Sequence, residues 1–281
     1  MHPTASSFID EVGTLPSLPV LYQELSRAVE DPNASIEAIG RIISRDLGLA
    51  SRLLKLANSA FYGLPLPADT IEEAMQRLGL RQIRELALAT TVIRLFDRVP
   101  SDLVSVESFW EHSVACGTAC ALLARELHDP TPERVFVGGL LHDVGRLIMY
   151  LKAPQQSAEI GHRCRLTGQL DHEAEREILG FDHADLGREL LLRWRLPSSL
   201  ADMVGKHHQP GPSGECGSDE AIVHVGDFLT HALGFGCSGE LFVSPLSAAC
   251  WERCRLSDDR IESLLDELDR QQESLRDFLQ P

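Results

Sequence analysis

The sequence lacks a basic excess: 42 acidic residues stand against 26 basic ones, for a formal net charge of −16. Nucleic-acid-binding surfaces are ordinarily basic, so neither DNA nor RNA is an expected partner. No apolar run approaches the ~18 residues that a membrane helix needs, and no membrane insertion is expected. The first residues, MHPTASSFIDEVGTLP, have neither a basic start nor an apolar core, so no secretory signal is read there. The cysteines (Cys116, Cys120, Cys164, Cys216, Cys237, Cys250 and Cys254) are odd in number and form no CxxC pair. Reduced thiols and a cytoplasmic location are the expectation. Strand-like alternation and internal repeats are missing too.

What is present is helical periodicity in a chain of 281 residues that is 43% hydrophobic, enough for a sizeable core in one large or two small domains. Ser35 reads as an N-cap before Ile36, Ile39, Ile42 and Ile43, and a second helix runs from Leu47 to about Asn58. Thr70 and Glu73 fit a capping box. Gly79 separates that helix from one carrying Ile83, Leu86, Ala87, Thr90 and Ile93. Residues 97–108 are polar, contain Pro100 and predict a hinge between two helical halves. Further helices are predicted over about 108–127, 133–151, 170–178, 183–194, 198–207 and 219–233, with a loop at QPGPSGECGSD (209–219). From Ser257 onward, Ile261, Leu264, Leu265, Leu268, Leu275 and Leu279 share one face of a terminal helix, which closes the core or pairs two copies. The predicted class is all-α. Residues 70–89 mimic a helix-turn-helix with Arg81 and Arg84 on its second helix. Glu85 and the run Ala87–Thr91 instead fit two helices packed across a glycine turn.

The stretch GGLLHDVGRL (138–147) sets His142 beside Asp143 in an apolar run, where an unpartnered charge carries a large desolvation penalty. Other candidates to join them are His112 in FWEHSVACG, His183 in GFDHADLG, His207 and His208 in GKHHQP, and Asp227 in VHVGDFL. Imidazole nitrogen and carboxylate oxygen are natural ligands of iron, manganese, nickel and zinc. A carboxylate can also bridge two ions ~4 Å apart, which could hold a hydroxide and a phosphoryl oxygen for in-line attack. Cys116 and Cys120 follow His112 at helical spacing and could form a metal face, although buried thiols are more commonly structural. His2, His128, His162, His172, His224 and His231 read as surface or hydrogen-bonded core residues.

LPSLPVLYQEL (15–25), RIISRDLGLASRLLKLANSAFYG (41–63) and AMQRLGLRQIRELAL (74–88) resemble the amino-terminal half of an HDOD domain. VFVGGLLHDVGRLIMY (135–150), GFDHADLGRELLLRWRLP (180–197) and KHHQP (206–210) resemble its second half. The resemblance implies an HD-superfamily helical bundle with an amino-terminal helical subdomain. The HDOD domain would span about 14–212, divided near residue 100, with a helical extension over 213–281. It implies a bacterial signalling module acting through protein contacts, without demonstrated phosphohydrolase activity. No receiver, kinase or cyclase motif accompanies it, so the partner would be a separate protein, bound in an apolar groove between the halves or by the terminal helix.

Metal-binding HD-GYP relatives, which hydrolyse cyclic di-GMP, order their ligands H…HD…H…HH…D. His112, His142, Asp143, His183, His207, His208 and Asp227 follow that order. By this resemblance His112, His142 and Asp227 would hold one divalent ion, His183, His207 and His208 another, and Asp143 would bridge them. Arg146 stands where those relatives carry a lysine, and would face phosphate as a fixed fork. The GYP motif is absent after His208. The alternative function is a metal-dependent phosphohydrolase acting on a nucleotide or cyclic dinucleotide.

Overall fold

A computed structural model describes residues 3–11, 16–59, 62, 64–96, 99, 102–209 and 217–279. Among these the chain is all-α, with no strand. In chain order the helices are α1 (Ala5–Glu11), α2 (Val20–Glu30), α3 (Ile36–Ile43), α4 (Leu47–Ala57), α5 (Ile71–Leu78), α6 (Leu80–Leu95), α7 (Val106–Glu126) and α8 (Pro132–Leu141). There follow α9 (Val144–Lys152), α10 (Pro154–Thr167), α11 (Asp171–Leu179), α12 (His183–Arg193), α13 (Ser198–Gly205), α14 (Ser218–Leu233), α15 (Ala248–Cys254) and α16 (Asp258–Leu279). No helix among the described residues is long and apolar enough to cross a membrane. Two compact units form: Pro16–Asp97 with Asp269–Pro281, and Met1–Leu15 with Arg98–Leu268.

The smaller unit is organised by its caps. Ser35 accepts the Ala38 amide and starts α3, whose Ile39 and Ile43 are buried. Asp46 accepts the Leu49 amide and starts α4. Thr70 accepts the Glu73 amide as expected, but the Glu73 carboxylate reaches back to the Asp69 amide at 2.9 Å, one residue earlier than a capping box requires. Gly79, at φ 91°, separates α5 from α6 in a backbone conformation that a side chain would strain. From Leu86 to Ile93 α6 is buried without interruption, and Arg84 is held by Glu30 and Glu85. The helix-turn-helix pattern in this sequence therefore encodes a core helix and its neighbour.

In the larger unit α7 is buried from His112 to Ala124 and packs on α8 and α14. The helix predicted over 133–151 is in fact two helices. It breaks at His142 and Asp143, where Asp143 leaves helical geometry at φ −97° and ψ 7°. Both flanks are almost wholly buried, so no change in hydrophobic pattern marks the break. Helix α10 has no counterpart among the helices predicted from the sequence; its mostly polar surface gives little periodic signal, and it ends at left-handed Gly168. On α16 Leu264 and Leu268 are buried, whereas the side chains of Leu275 and Leu279 lie outside the described residues. Most of the predicted 209–219 loop, Pro100 of the predicted hinge, and the expected domain ends at 14 and 212 also lie outside them.

Candidate metal centre

The break between α8 and α9 delivers His142 and Asp143 into the middle of the larger unit. Helix α9 can approach α12 there because Gly145 has no side chain. A Cβ at Gly145 would overlap the His183 carbonyl and lie 2.7 Å from the Gly187 amide nitrogen. His183 is the first residue of α12, fixed by the capping box of Asp182 and Asp185. His207 and His208 follow the end of α13, His112 comes from α7, and Asp227 comes from α14.

These seven side chains meet. His112 Nε2 lies 3.2 Å from Asp227 Oδ1, and His142 Nε2 lies 3.4 Å from the same oxygen. His183 Nε2 lies 3.3 Å from His207 Nε2 and 2.8 Å from His208 Nε2. Asp143 stands between the two groups. Its Oδ2 is 3.1 Å from His142 Nε2 and 4.0 Å from His112 Nε2; its Oδ1 is 3.1 Å from His183 Nε2 and 3.8 Å from His207 Nε2.

Three of the outer ring nitrogens are already committed. Nδ1 of His142 donates to the Gly139 carbonyl, Nδ1 of His207 to the Val204 carbonyl, and Nδ1 of His183 to Glu175 Oε2, each at 2.6 Å. In a neutral ring that arrangement turns the Nε2 lone pair inward, as metal ligation requires. Lone pairs facing one another at 2.8–3.3 Å repel unless a proton or a cation lies between them. Several buried atoms of these residues form no hydrogen bond at all: both ring nitrogens of His112, His142 Nε2, Asp143 Oδ2 and Asp227 Oδ1. Burying polar atoms without a partner is costly, and imidazole nitrogens with carboxylate oxygens suit a first-row divalent ion. The residues therefore fit such an ion.

Four neighbours escaped the sequence reading. Asp171 and Glu175 come from α11, Glu240 from the irregular segment 234–247, and His231 from α14, where the sequence predicts only a surface or hydrogen-bonded core residue. His231 Nδ1 lies 3.7 Å from Asp227 Oδ1 and 3.4 Å from Glu240 Oε2, and neither of its ring nitrogens is hydrogen-bonded. Helical spacing from Asp227 could have pointed to it. No pattern announces Glu240.

Arg146 is buried among carboxylates. Its Nε faces Asp143 Oδ1 at 3.3 Å, its Nη1 faces Glu175 at 3.5 Å and Asp171 at 3.8 Å, and its Nη2 bonds Glu240. The phosphate partner expected from the sequence has its fork directed inward to the protein's own acids. Four buried carboxylates (Asp143, Asp171, Glu175 and Glu240) face this one guanidinium, and a fifth, Asp227, is buried among the histidines. When all are ionised, four negative charges remain for protonated histidines or bound cations to balance.

The electrostatics follow from that excess. Burial opposes charge on His142, but Asp143 and Asp227 outweigh it and raise its pKa. Burial and Arg146 push His183 down, yet Glu175 and Asp143 hold it up at about 10. His207 moves the other way, lowered by burial and then by the neighbouring histidines. Burial would raise Asp143 and Asp227, but the adjacent histidines, joined at Asp143 by Arg146, lower both. Burial likewise opposes ionisation of Glu175, but His183 and Arg146 bring it down to about 2.

The remaining histidines and thiols have plainer roles. His224 donates from Nδ1 to the His207 carbonyl at 2.7 Å and accepts the Ser247 amide on Nε2 at 2.9 Å, a satisfied core histidine. His172 stacks on His208 with ring centres 4.3 Å apart, and burial lowers it to about 4. His128 and His162 are exposed, and His2 lies outside the described residues. Cys116 Sγ comes within 4.8 Å of ligand atoms of His142 and Asp227, but burial raises its thiol well above the ordinary range. Cys120 Sγ contacts the Ile222 carbonyl at 3.6 Å, a packing position.

A family model for the HDOD domain matches residues 15–210 of this chain. The crystal structure of an HDOD domain protein of unknown function from Geobacter sulfurreducens superposes with a TM-score of 0.77, at 24% identity, covering 98% of this chain and 95% of that one. A Shewanella amazonensis SB2B protein, provisionally named a metal-dependent phosphohydrolase, superposes with a TM-score of 0.71 at 20% identity, covering 98% and 96%. These likenesses show the fold. An uncharacterised protein of Treponema pallidum (strain Nichols) is 27% identical over 205 residues, 73% of this chain. The chain spans only 39% of that relative's length.

Proposed function

The chain belongs to the HDOD family, and from that membership we propose that it is a regulatory module acting through contacts with a signalling protein, its HD-like unit retaining a two-ion metal site. The observation that carries the metal part is the position of Asp143, whose two oxygens face separate groups of histidines. His112, His142 and Asp227 would hold one divalent ion, and His183, His207 and His208 the other. The observation that favours a module over an enzyme is the burial of the centre. Arg146 and Asp143 side chains are 2% exposed, and the guanidinium donors that a phosphate would need already face carboxylates. Contact with a protein partner is supported by Leu241, Phe242 and Val243, three consecutive large apolar residues each about 40% exposed beside the centre.

The second reading, a phosphohydrolase, is favoured by the same convergence of ligands and by the provisional name of the Shewanella relative. In such an enzyme the ions would polarise a phosphoryl oxygen and ease ionisation of water. His183 and Glu175 would supply a fixed proton-holding pair, and the burial of the centre would exclude bulk water.

Metal content after purification without chelator tests the proposal against a His142→Ala/Asp143→Ala variant. About two divalent ions per wild-type chain and a clear loss in the variant are expected. A metal-free wild-type chain of ordinary stability would overturn it. Release of phosphate from a panel of nucleotides and cyclic dinucleotides then separates the readings: a metal-loaded, inert chain supports the module, and turnover supports the enzyme.

A further inference from the structure

The segment between α14 and α15, residues 234–247, has no regular structure but is tied down along its length. Gly234 (φ 72°), Gly236 (φ 64°) and Gly239 (φ 109°) give it turns that other residues rarely adopt. Gly236 lies against the start of α7, where any Cβ would overlap the His112 amide nitrogen and the Ser108 carbonyl oxygen. The Cys237 amide donates to that same Ser108 carbonyl at 3.1 Å. Tyr150 of α9 donates its hydroxyl to the Ser238 carbonyl at 3.0 Å, and the Leu241 amide donates to Asp171 of α11 at 3.4 Å. Further on, Ser244 Oγ lies 3.4 Å from His208 Nδ1, and the Ser247 amide is held by His224. Bonds to α7, α9, α11 and α14, and to the turn after α13, fix this strap over the centre.

The strap's one buried charge is Glu240. Its Oε1 lies 3.4 Å from His208 Nε2 and 4.0 Å from His183 Nε2 and bonds Arg146, while its Oε2 lies 3.4 Å from His231 Nδ1. Asp143, His183 and Glu240 offer ligand atoms that all lie within 4.8 Å of one another. A carboxylate held between inward-facing imidazoles and a guanidinium sits where a phosphate oxyanion would have to enter to reach both.

We propose that Glu240 is an internal ligand of the metal centre: the strap supplies it to the ion held by His183, His207 and His208, and so closes that position to exogenous oxyanions such as phosphate. This rests on the metal reading above and extends it. Structural metal sites are closed by protein ligands, whereas catalytic ones keep a position open. Closure by Glu240 makes this site one of the first kind and accounts for the engagement of Arg146. The geometry assigns the function of closing the site to a residue outside the 15–210 family match.

The test uses the full chain loaded with cobalt(II), with visible absorption as the readout and inorganic phosphate as the probe. Wild type should bind cobalt, and its spectrum should not respond to millimolar phosphate. Glu240→Gln, which keeps the side chain's shape, should lose at least about tenfold in cobalt affinity on one side and acquire a saturable spectral response to phosphate. Glu240→Asp keeps the charge opposite Arg146 but withdraws the oxygen by one methylene, and should acquire the same phosphate response even if Glu240→Gln folds poorly. A wild-type chain that binds no cobalt would overturn the metal reading itself. Cobalt binding in which wild type and both variants share one affinity and one indifference to phosphate would overturn the closure alone.

Discussion

Substituting Gly145 by alanine probes the contact on which the centre depends. The new Cβ would overlap the His183 carbonyl oxygen and lie 2.7 Å from Gly187 N and 3.0 Å from the His183 carbonyl carbon. Ordinary contact begins at 3.4 Å, so the approach to Gly187 alone requires α9 and α12 to part by about 0.7 Å, and the carbonyl oxygen requires more. Both obstacles are backbone, so no rotamer change relieves them. Overpacking of this kind costs ~1–3 kcal/mol, and the upper end applies where backbone meets backbone. In a unit of this size that corresponds to a melting temperature lowered by roughly 6–12 °C. The same displacement withdraws His183 from Asp143, now 3.1 Å apart, so metal affinity on the His183 side should fall with stability. Thermal melting and metal titration of the variant are the assays. A Gly145→Ala chain that melts with wild type and binds metal equally would refute the close approach of α9 to α12.

Other perturbations follow from the same structure. Arg146→Met leaves buried carboxylates without their counter-charge and should destabilise by ~3–5 kcal/mol in denaturant unfolding; adding Glu240→Gln should recover part of that loss. In the metal-free chain His183 is raised to about 10 from an ordinary value of 6.5. Its contribution to stability is therefore complete below pH 6.5 and lost as pH rises toward 10. Metal uptake must displace that proton, so calorimetry of metal binding in buffers of different ionisation enthalpy should show proton release at neutral pH. In the smaller unit, Asp46→Ala removes the cap on Leu49 and the partner of Arg94 at 2.6 Å, and should cost about 1 kcal/mol. Burial would raise the Asp46 carboxyl, but the Leu49 amide and Arg94 outweigh it and lower its pKa. The difference between wild type and Asp46→Ala should thus be full above the ordinary carboxylate range and fade as pH falls through the lowered value.

Much of the helical layout is legible in local chemistry. Ser35, Thr70 and Gly79 mark boundaries because each meets an unpaired amide or a positive φ within a few residues. The break at His142 is not legible, because α8 and α9 are both buried on nearly every side and a continuous apolar run has no phase to lose. His112, His142, Asp143, His183, His207, His208 and Asp227 could be picked out because they follow an ordered pattern, and the fold places them together. Glu175, Glu240 and Asp171 follow no such pattern. They become neighbours of Arg146 only once α11 and the 234–247 strap have folded over α9, a long-range event without a local signature. His231 does not stand out in the sequence because a lone helical histidine is ordinary there; only the fold places it against Asp227 and Glu240.

In the proposed centre Asp143 would join two metal positions through its two oxygens. Electron paramagnetic resonance of the chain loaded with manganese(II) tests it most directly. Two ions per wild-type chain with an exchange-coupled spectrum are expected, with loss of that coupling, or of one ion, in Asp143→Asn. Two uncoupled ions, a single ion in wild type, or coupling that survives in Asp143→Asn would contradict it.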